Sequence, residues 1–326
     1  MKCRLLVHRL LLSMMVWATL YAGPNAAVAT SSSPKTLTLR ALSEIVATGP
    51  RFIGLPGHEL TAQIIERRLQ ALHDRGAAQL VTRDMQQVVP VVESAWLTLG
   101  DDRRIPIYPF WPNGAHLCTT PPEGITAPLI YIGDGHPKDL PARSLKGAIV
   151  AMEYNSYDRW QNVVQFGARA ILFLSPQRTT WVHSLAKFVN IPFDTPRFYI
   201  QDDQLAQSIR EQPQPQPVRL VSRMKWERQR VRDFVLILKG QDPKIADEVV
   251  IVNARYDASC VVPQLAFGAE QAIGAAILCE LAERLIEQPR KRTIMLIWTG
   301  ADSMNFASLR QILGAGREAP HQWGVR

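Results

Sequence analysis

Three consecutive stretches decide the fold: Val249-Val-Ile-Val-Asn-Ala-Arg-Tyr-Asp257, the helical pattern Glu270 to Ile286, and Thr293-Ile-Met-Leu-Ile-Trp-Thr-Gly-Ala-Asp302. The first and third are short, almost wholly apolar runs, as expected of strands covered on both faces, and the segment between them is apolar around most of a helix. Two such strands joined by a buried helix form a βαβ unit of a mostly parallel central sheet covered by helices, an α/β fold. Chemistry in such sheets gathers just beyond the carboxyl ends of the strands. Those positions here are Arg255-Tyr-Asp257 and Gly300-Ala-Asp302.

Working towards the N-terminus, Val218 to Leu238 reads as two strand patterns separated by a charged turn. It is the most basic tract, but Val218, Leu220, Met224 and Trp226 alternate with Arg219, Arg223 and Lys225. That is the period of a half-buried strand with a solvated face, not of a nucleic-acid patch. Gln212-Pro-Gln-Pro-Gln-Pro217 before it is an extended spacer. Residues 127–211, about 85 residues, read as a self-contained α+β unit. Its elements are strands at Leu129–Ile132, Ala148–Met152, Ala170–Leu174 and Arg197–Ile200, with helices at Arg159–Phe166 and from Asp202. Earlier still come helices at Leu37–Ile45 and Glu59–Leu72, the second with Leu60, Ile64, Ile65, Leu69 and Leu72 at helical spacing. A strand at Val88–Leu99 and an irregular aromatic segment, Ile105 to Pro122, follow. Within it, Tyr108-Pro-Phe-Trp-Pro112 reads as packing between units.

Residues 1–29 read as a secretory signal: Lys2, Arg4 and Arg9 precede the apolar run Leu10 to Ala22, and Ala27-Val-Ala29 supplies small residues for cleavage. That run is about 13 residues, short of the roughly 20 that span a bilayer, so a retained anchor is the weaker reading. The expected location is exported: periplasm, cell envelope or medium. Removing the signal lowers the formal charge from +8 to +5, too diffuse to imply nucleic acid. With 47% hydrophobic and 20% charged residues the chain is not disordered, and 4 Cys in 326 residues is not a disulfide scaffold. No serine-nucleophile elbow, phosphate loop or dinucleotide turn is present. His58, His73, His116, His136 and His183 share no metal-binding spacing and read as ordinary core or surface residues.

Several motifs in order resemble one family, the secreted di-zinc exopeptidases that include bacterial aminopeptidases, glutamate carboxypeptidase and transferrin-receptor-like proteins. They are Arg51-Phe-Ile-Gly-Leu-Pro-Gly57 before the second helix, Leu145-Lys-Gly-Ala-Ile-Val150, Phe166-Gly-Ala-Arg-Ala-Ile-Leu-Phe173, Ile191-Pro192, and Phe234-Val-Leu-Ile-Leu-Lys-Gly240. The resemblance implies a discontinuous peptidase-like domain, residues 36–126 and 218–313, with residues 127–211 as an inserted protease-associated domain and 212–217 as linker. It also implies a zinc cofactor if the protein is active.

At the strand ends the family's signatures are altered. Where it has His-x-Asp stands Arg255-Tyr256-Asp257; at its bridging Asp and the next acid or amide stand Glu270 and Gln271; at its Glu-Glu stand Ala301 and Asp302. A protonated guanidinium has no lone pair for zinc, so Arg255 is no ligand. Ala301, at the general-base position, takes no proton from a zinc-bound water. Glu270 and Asp302 remain as vestigial metal-ligand candidates, with Arg255, Asp257 and Gln271 in the surrounding region; no catalytic residue is assigned. Two readings of the cluster stand side by side: Arg255 replaces the metal charge by pairing with Asp257, Glu270 or Asp302, or the cluster is a solvated loop set left by lost selection.

The expected function is therefore a non-catalytic, exported peptidase-like protein that binds a peptide or protein, without zinc. Alternatives are an active metallo-exopeptidase with unusual ligands, and an extracytoplasmic piece of a longer envelope protein, the case in which a membrane would be a partner. The segment 314–326 lacks periodicity, and only roughly 210 residues remain for the peptidase-like domain. The expectation is a prematurely ended or frame-shifted terminus.

Overall fold

A computed structural model describes residues 34–315 except 77, 101–102, 141–144, 189–191 and 213. The signal reading of 1–29, the tail from 316 and Ile191 lie outside the described residues.

Two strands organise the chain. β1 (Gln79–Thr98) and β8 (Gln216–Leu238) pair antiparallel along almost their whole length, with one irregularity between Val92 and Ser94. The expected charged turn inside 218–238 is absent, and β8 runs on as a single strand of 23 residues. The charges that suggested a turn are held on the ribbon's surface. Arg230 makes paired contacts of 2.9 Å to both carboxylate oxygens of Asp84, and Arg232 reaches Glu59 and Glu66. Alternation with buried Val231 and Asp233 keeps the strand period intact. The spacer also ends earlier than its composition implies, since Gln216 and Pro217 already belong to β8.

The other edge of β8 carries different partners at its two ends. Residues 216–220 pair with β4 (Ile125–Tyr131), and residues 234–238 pair with β10 (Thr293–Thr299). From β4 the sheet continues in parallel through β5 (Ile149–Glu153), β6 (Ala170–Leu174) and β7 (Arg197–Ile200), then to the short β3 (Tyr108–Pro109); β2 (Arg104–Pro106) lies on β1. From β10 it continues to the parallel strand β9 (Val249–Arg255). The described residues thus form one ten-stranded mixed sheet of the α/β class.

Two main cores follow. One fills the lobe inserted between β1 and β8: Trp160, Ile171 and Phe173 are fully buried there, and it also draws in Leu97, Ile105, Ile107, Phe110 and Cys118. The aromatic segment bridges lobes as expected, with Phe110 stacked on Phe173 at 4.8 Å and Trp111 edge-on to Phe52 at 5.6 Å. The other core lies under α1 (Pro34–Val46), α2 (Pro56–His73) and α6 (Ala269–Ile286) and includes Ile65, Leu69, Phe234, Leu296 and Trp298. Helix α2 buries His58, Thr61, Ala62, Ile65, Leu69 and Leu72, whereas Leu60 faces solvent. It starts at Pro56, whose ring suits the first helical turn, and Gly57 follows because an added Cβ would stand 2.3 Å from the Pro50 carbonyl.

One expectation about the βαβ unit fails. β9 is not covered on both faces: Val250 and Ile251 are 44% and 46% exposed. An apolar run reads the same whether a strand is central or at an edge, and among the described residues β10 alone pairs with it.

Candidate functional site

The loops after β9 and β10 and the start of α6 meet, as expected of strand-end chemistry. What ties them together is Arg51, in the loop before α2. It is fully buried; its Nε donates to the Tyr256 carbonyl at 3.2 Å and its Nη2 to the Gly268 carbonyl at 2.6 Å. Its backbone links the same loops, donating to Ala266 and accepting from Ala258, both at 3.0 Å. Burial lowers the Arg51 pKa, and the charge of Asp257 opposes that shift. Arg51 was legible only as part of a motif; that it is the cation buried at this site required the fold.

Asp257 is fully buried. Its Oδ2 accepts from the Ser303 backbone N–H at 2.8 Å, whereas Oδ1 has no partner among the described residues, as is also true of Arg51 Nη1 and Ser303 Oγ. Burial raises its pKa, against the backbone hydrogen bond from Ser303 and the positive charge of Arg255. Arg255 acts on Asp257 only through space. It forms no side-chain hydrogen bond or ion pair among the described residues, so the expected pairing with Asp257, Glu270 or Asp302 is not formed. The reason is position: Arg255 ends the edge strand and is half exposed, whereas Asp257 and Asp302 lie in the interior.

The remaining site residues have structural duties. Asp302 accepts from Thr299 Oγ1 at 2.6 Å and from the Leu309 N–H at 3.1 Å, where it satisfies an unpaired donor at the start of α7 (Ala307–Ala315). Gln271 clamps Ser259, accepting from its N–H at 2.8 Å and donating to its carbonyl at 3.0 Å. Glu270 stands exposed in the first turn of α6, which begins from Gly268 in the left-handed region at φ 46°. Ala301 is fully buried among Phe52, Ile53, Val89, Val231, Ala258 and Ala266, and its N–H donates to Ser308 Oγ at 3.0 Å.

Beneath these loops are groups to which the sequence reading gave no role at the site. Asp233, the one acid in the apolar end of β8, accepts from the Gly300 N–H at 2.9 Å; burial pushes its pKa up to about 6. Tyr256 is buried and donates to the Arg232 carbonyl at 2.6 Å. The His58 ring lies tilted against Tyr256 at 5.2 Å, contacts the Gly300 carbonyl at 2.8 Å through Nε2, and has its pKa lowered by burial. Gly300 admits no side chain, because a Cβ there would lie 2.4 Å from the Tyr256 hydroxyl. An acid interrupting Val231–Leu238 was the available signal for Asp233, since a buried carboxylate needs donors aimed at it.

In structural comparison the chain is similar to the zinc aminopeptidase BSAP from Bacillus subtilis, at 20% identity and TM-score 0.57, over 81% of this chain and 60% of that one. It is also similar to a peptidase M28 precursor from Shewanella amazonensis, at 17% identity and TM-score 0.50, over 81% of this chain and 66% of that one. The protein therefore has the fold of the di-zinc exopeptidases, and it spans about 60% of the length of the aminopeptidase. No protein-family model matches the sequence, and no curated protein matches it.

A metal pair is what this fold family implies at the strand ends, and the residues present do not fit it. Among the described residues no three His, Cys, Asp or Glu side chains converge to hold a metal ion. Both Asp302 oxygens and both Gln271 polar atoms are committed to protein donors or acceptors, Arg255 and Ala301 offer a guanidinium and a methyl group, and among the described residues of these loops only Asp257 and Glu270 keep a carboxylate oxygen without a protein donor, too few to hold a metal pair.

Proposed function

We propose that this protein is a non-catalytic, exported relative of the di-zinc aminopeptidases that binds a peptide or protein through its inserted lobe and the strand-end loops. The observation that carries the reading is the use to which the site residues are put. Arg51, Gln271 and Asp302 brace the loops internally, and Ala301 occupies an apolar cluster at the position of the base. With no proton acceptor at the general-base position and no lone pair where the His ligand would stand, hydrolysis has no agent in these loops.

Binding is supported by a surface on the inserted lobe, which we read as a protease-associated domain at 127–211. Around α4 (Trp181–Leu185), Trp181 is 73% exposed, and Tyr157, Leu185 and Phe188 are exposed beside it. Solvated apolar clusters of this kind mark contact sites more often than inert surface. The cluster is anchored, not loose: Tyr154 and Ser184 share a hydrogen bond of 2.6 Å, and the Tyr154 ring packs against Phe110, Phe173 and Tyr199. Export rests on the signal-like pattern of residues 1–29.

The test is hydrolysis of a panel of aminoacyl p-nitroanilides with zinc supplied in excess, alongside selection from a displayed random-peptide library. Turnover at the background rate, with enrichment of peptides that lose binding to Trp181→Ala, is the expected result. Zinc-dependent turnover would overturn the proposal.

A further inference from the structure

β9 is hydrogen-bonded to β10 on one side, and among the described residues nothing pairs with its other side. Edges of this kind are usually blunted by Lys, Pro or a bulge; Val249 to Ala254 carries none of these. The flank of α6 beside it is apolar as well. Ile273 and Ile277, one turn apart, are exposed, and a Cβ built on Gly274 would lie 3.5 Å from Ala254 Cβ, which puts this flank against the strand. Charge sits at the two ends alone. Asp247 and Glu248 precede the strand, and Arg255 closes it. Glu248 contacts Arg292 at 2.6 Å, whereas neither Asp247 nor Arg255 has a side-chain partner among the described residues.

We propose that β9 pairs antiparallel with β9 of a second copy of this chain, about a two-fold axis through Val252, joining the two sheets into one. Antiparallel register sets Arg255 opposite Val249 of the second copy and beside its Asp247 and Glu248, so each acidic end meets a basic end. Parallel pairing would instead set Arg255 against Arg255. Such a contact is self-complementary, as a two-fold interface must be. It satisfies the free N–H and C=O groups of both edges and places the two α6 helices on the same face, where their Ile273 and Ile277 flanks cover the joint. The unpartnered guanidinium at the candidate site thereby acquires a role in assembly.

Light scattering coupled to size-exclusion chromatography of the full chain, over a wide concentration range, tests this. The expected species is a dimer, converted to monomer by Val250→Lys with Ile251→Lys. Arg255→Glu should weaken association about tenfold, the effect of losing a close charge pair, and Asp247→Arg should restore it in the double variant. Val252→Cys provides a readout that does not depend on how the lysine variant folds. Opposed residues in antiparallel strands lie about 4.5–5.5 Å apart at Cα, within disulfide range, so mild oxidation should link the two copies where the parent chain does not link. A monomer at every concentration overturns the proposal and leaves the edge to a different polypeptide. A dimer that neither the lysines dissociate nor the cysteine traps overturns it equally.

Discussion

Replacing Asp233 with Asn should stabilise the protein in a strongly pH-dependent way. The Asp233 side chain is buried beneath the strand-end loops, with Oδ1 accepting from the Gly300 N–H at 2.9 Å. Burial, aided by the negative charges of Asp302 and Asp257, pushes its pKa from 3.8 up to about 6. The folded state therefore holds this proton more tightly than the unfolded chain does. The stability from protonation is fully present below the unfolded pKa and is lost as pH rises through the folded one. At about 1.4 kcal/mol per pH unit, the gap corresponds to ~3 kcal/mol lost between about pH 4 and pH 7. Asp233→Asn keeps the acceptor for Gly300 and removes the charge. Urea unfolding of both proteins at a series of pH values should show the variant gaining up to ~3 kcal/mol relative to the parent across that interval, whatever their constant offset. Taking the difference removes other titrations, such as Asp84 and Glu153, whose lowered pKa values act in the opposite direction. A difference that stays flat from acid to neutral pH would refute the reasoning.

Other outcomes follow from the same geometry. Ala301→Glu, which restores the family's carboxylate in name, should destabilise by ~3 kcal/mol or more and lower the thermal midpoint. The new carboxylate would enter a closed apolar cluster, and an unchanged midpoint would show that the cluster opens. Arg51→Leu should cost about 2–4 kcal/mol in denaturant unfolding, because the Tyr256 and Gly268 carbonyls lose a charged donor; a cost below ~1 kcal/mol would remove Arg51 from its bracing role. Trp298→Ala, which empties a fully buried site and removes the 3.2 Å hydrogen bond to Ala275, should cost about 3–5 kcal/mol by the same measurement.

Much of the architecture was legible because it rests on period. The apolar runs at Val249–Ala254 and Thr293–Trp298, the helix between them, and Ala170–Leu174 all fall where periodicity places them. What period could not show was partnership. Charged residues from Glu227 to Arg232 look like a turn until Asp84, Glu59 and Glu66 are brought opposite Arg230 and Arg232 by strands and helices far away in sequence. An apolar strand looks central whether or not a neighbour exists, so the open edge of β9 was hidden in the same residues that revealed the strand. At the site, residue types excluded metal ligation at Arg255 and Ala301. Direction is a property of the folded loops: Arg255 stands apart from the acids, Arg51 is the buried cation, and Asp302 faces Thr299 and Leu309.

The central claim is that these strand ends no longer compose a metal site. The most direct test is zinc stoichiometry by mass spectrometry after the purified chain is dialysed against micromolar zinc and then against metal-free buffer. Retention of far less than one equivalent per chain is expected from the residues present. Two tightly held equivalents per chain would contradict the account.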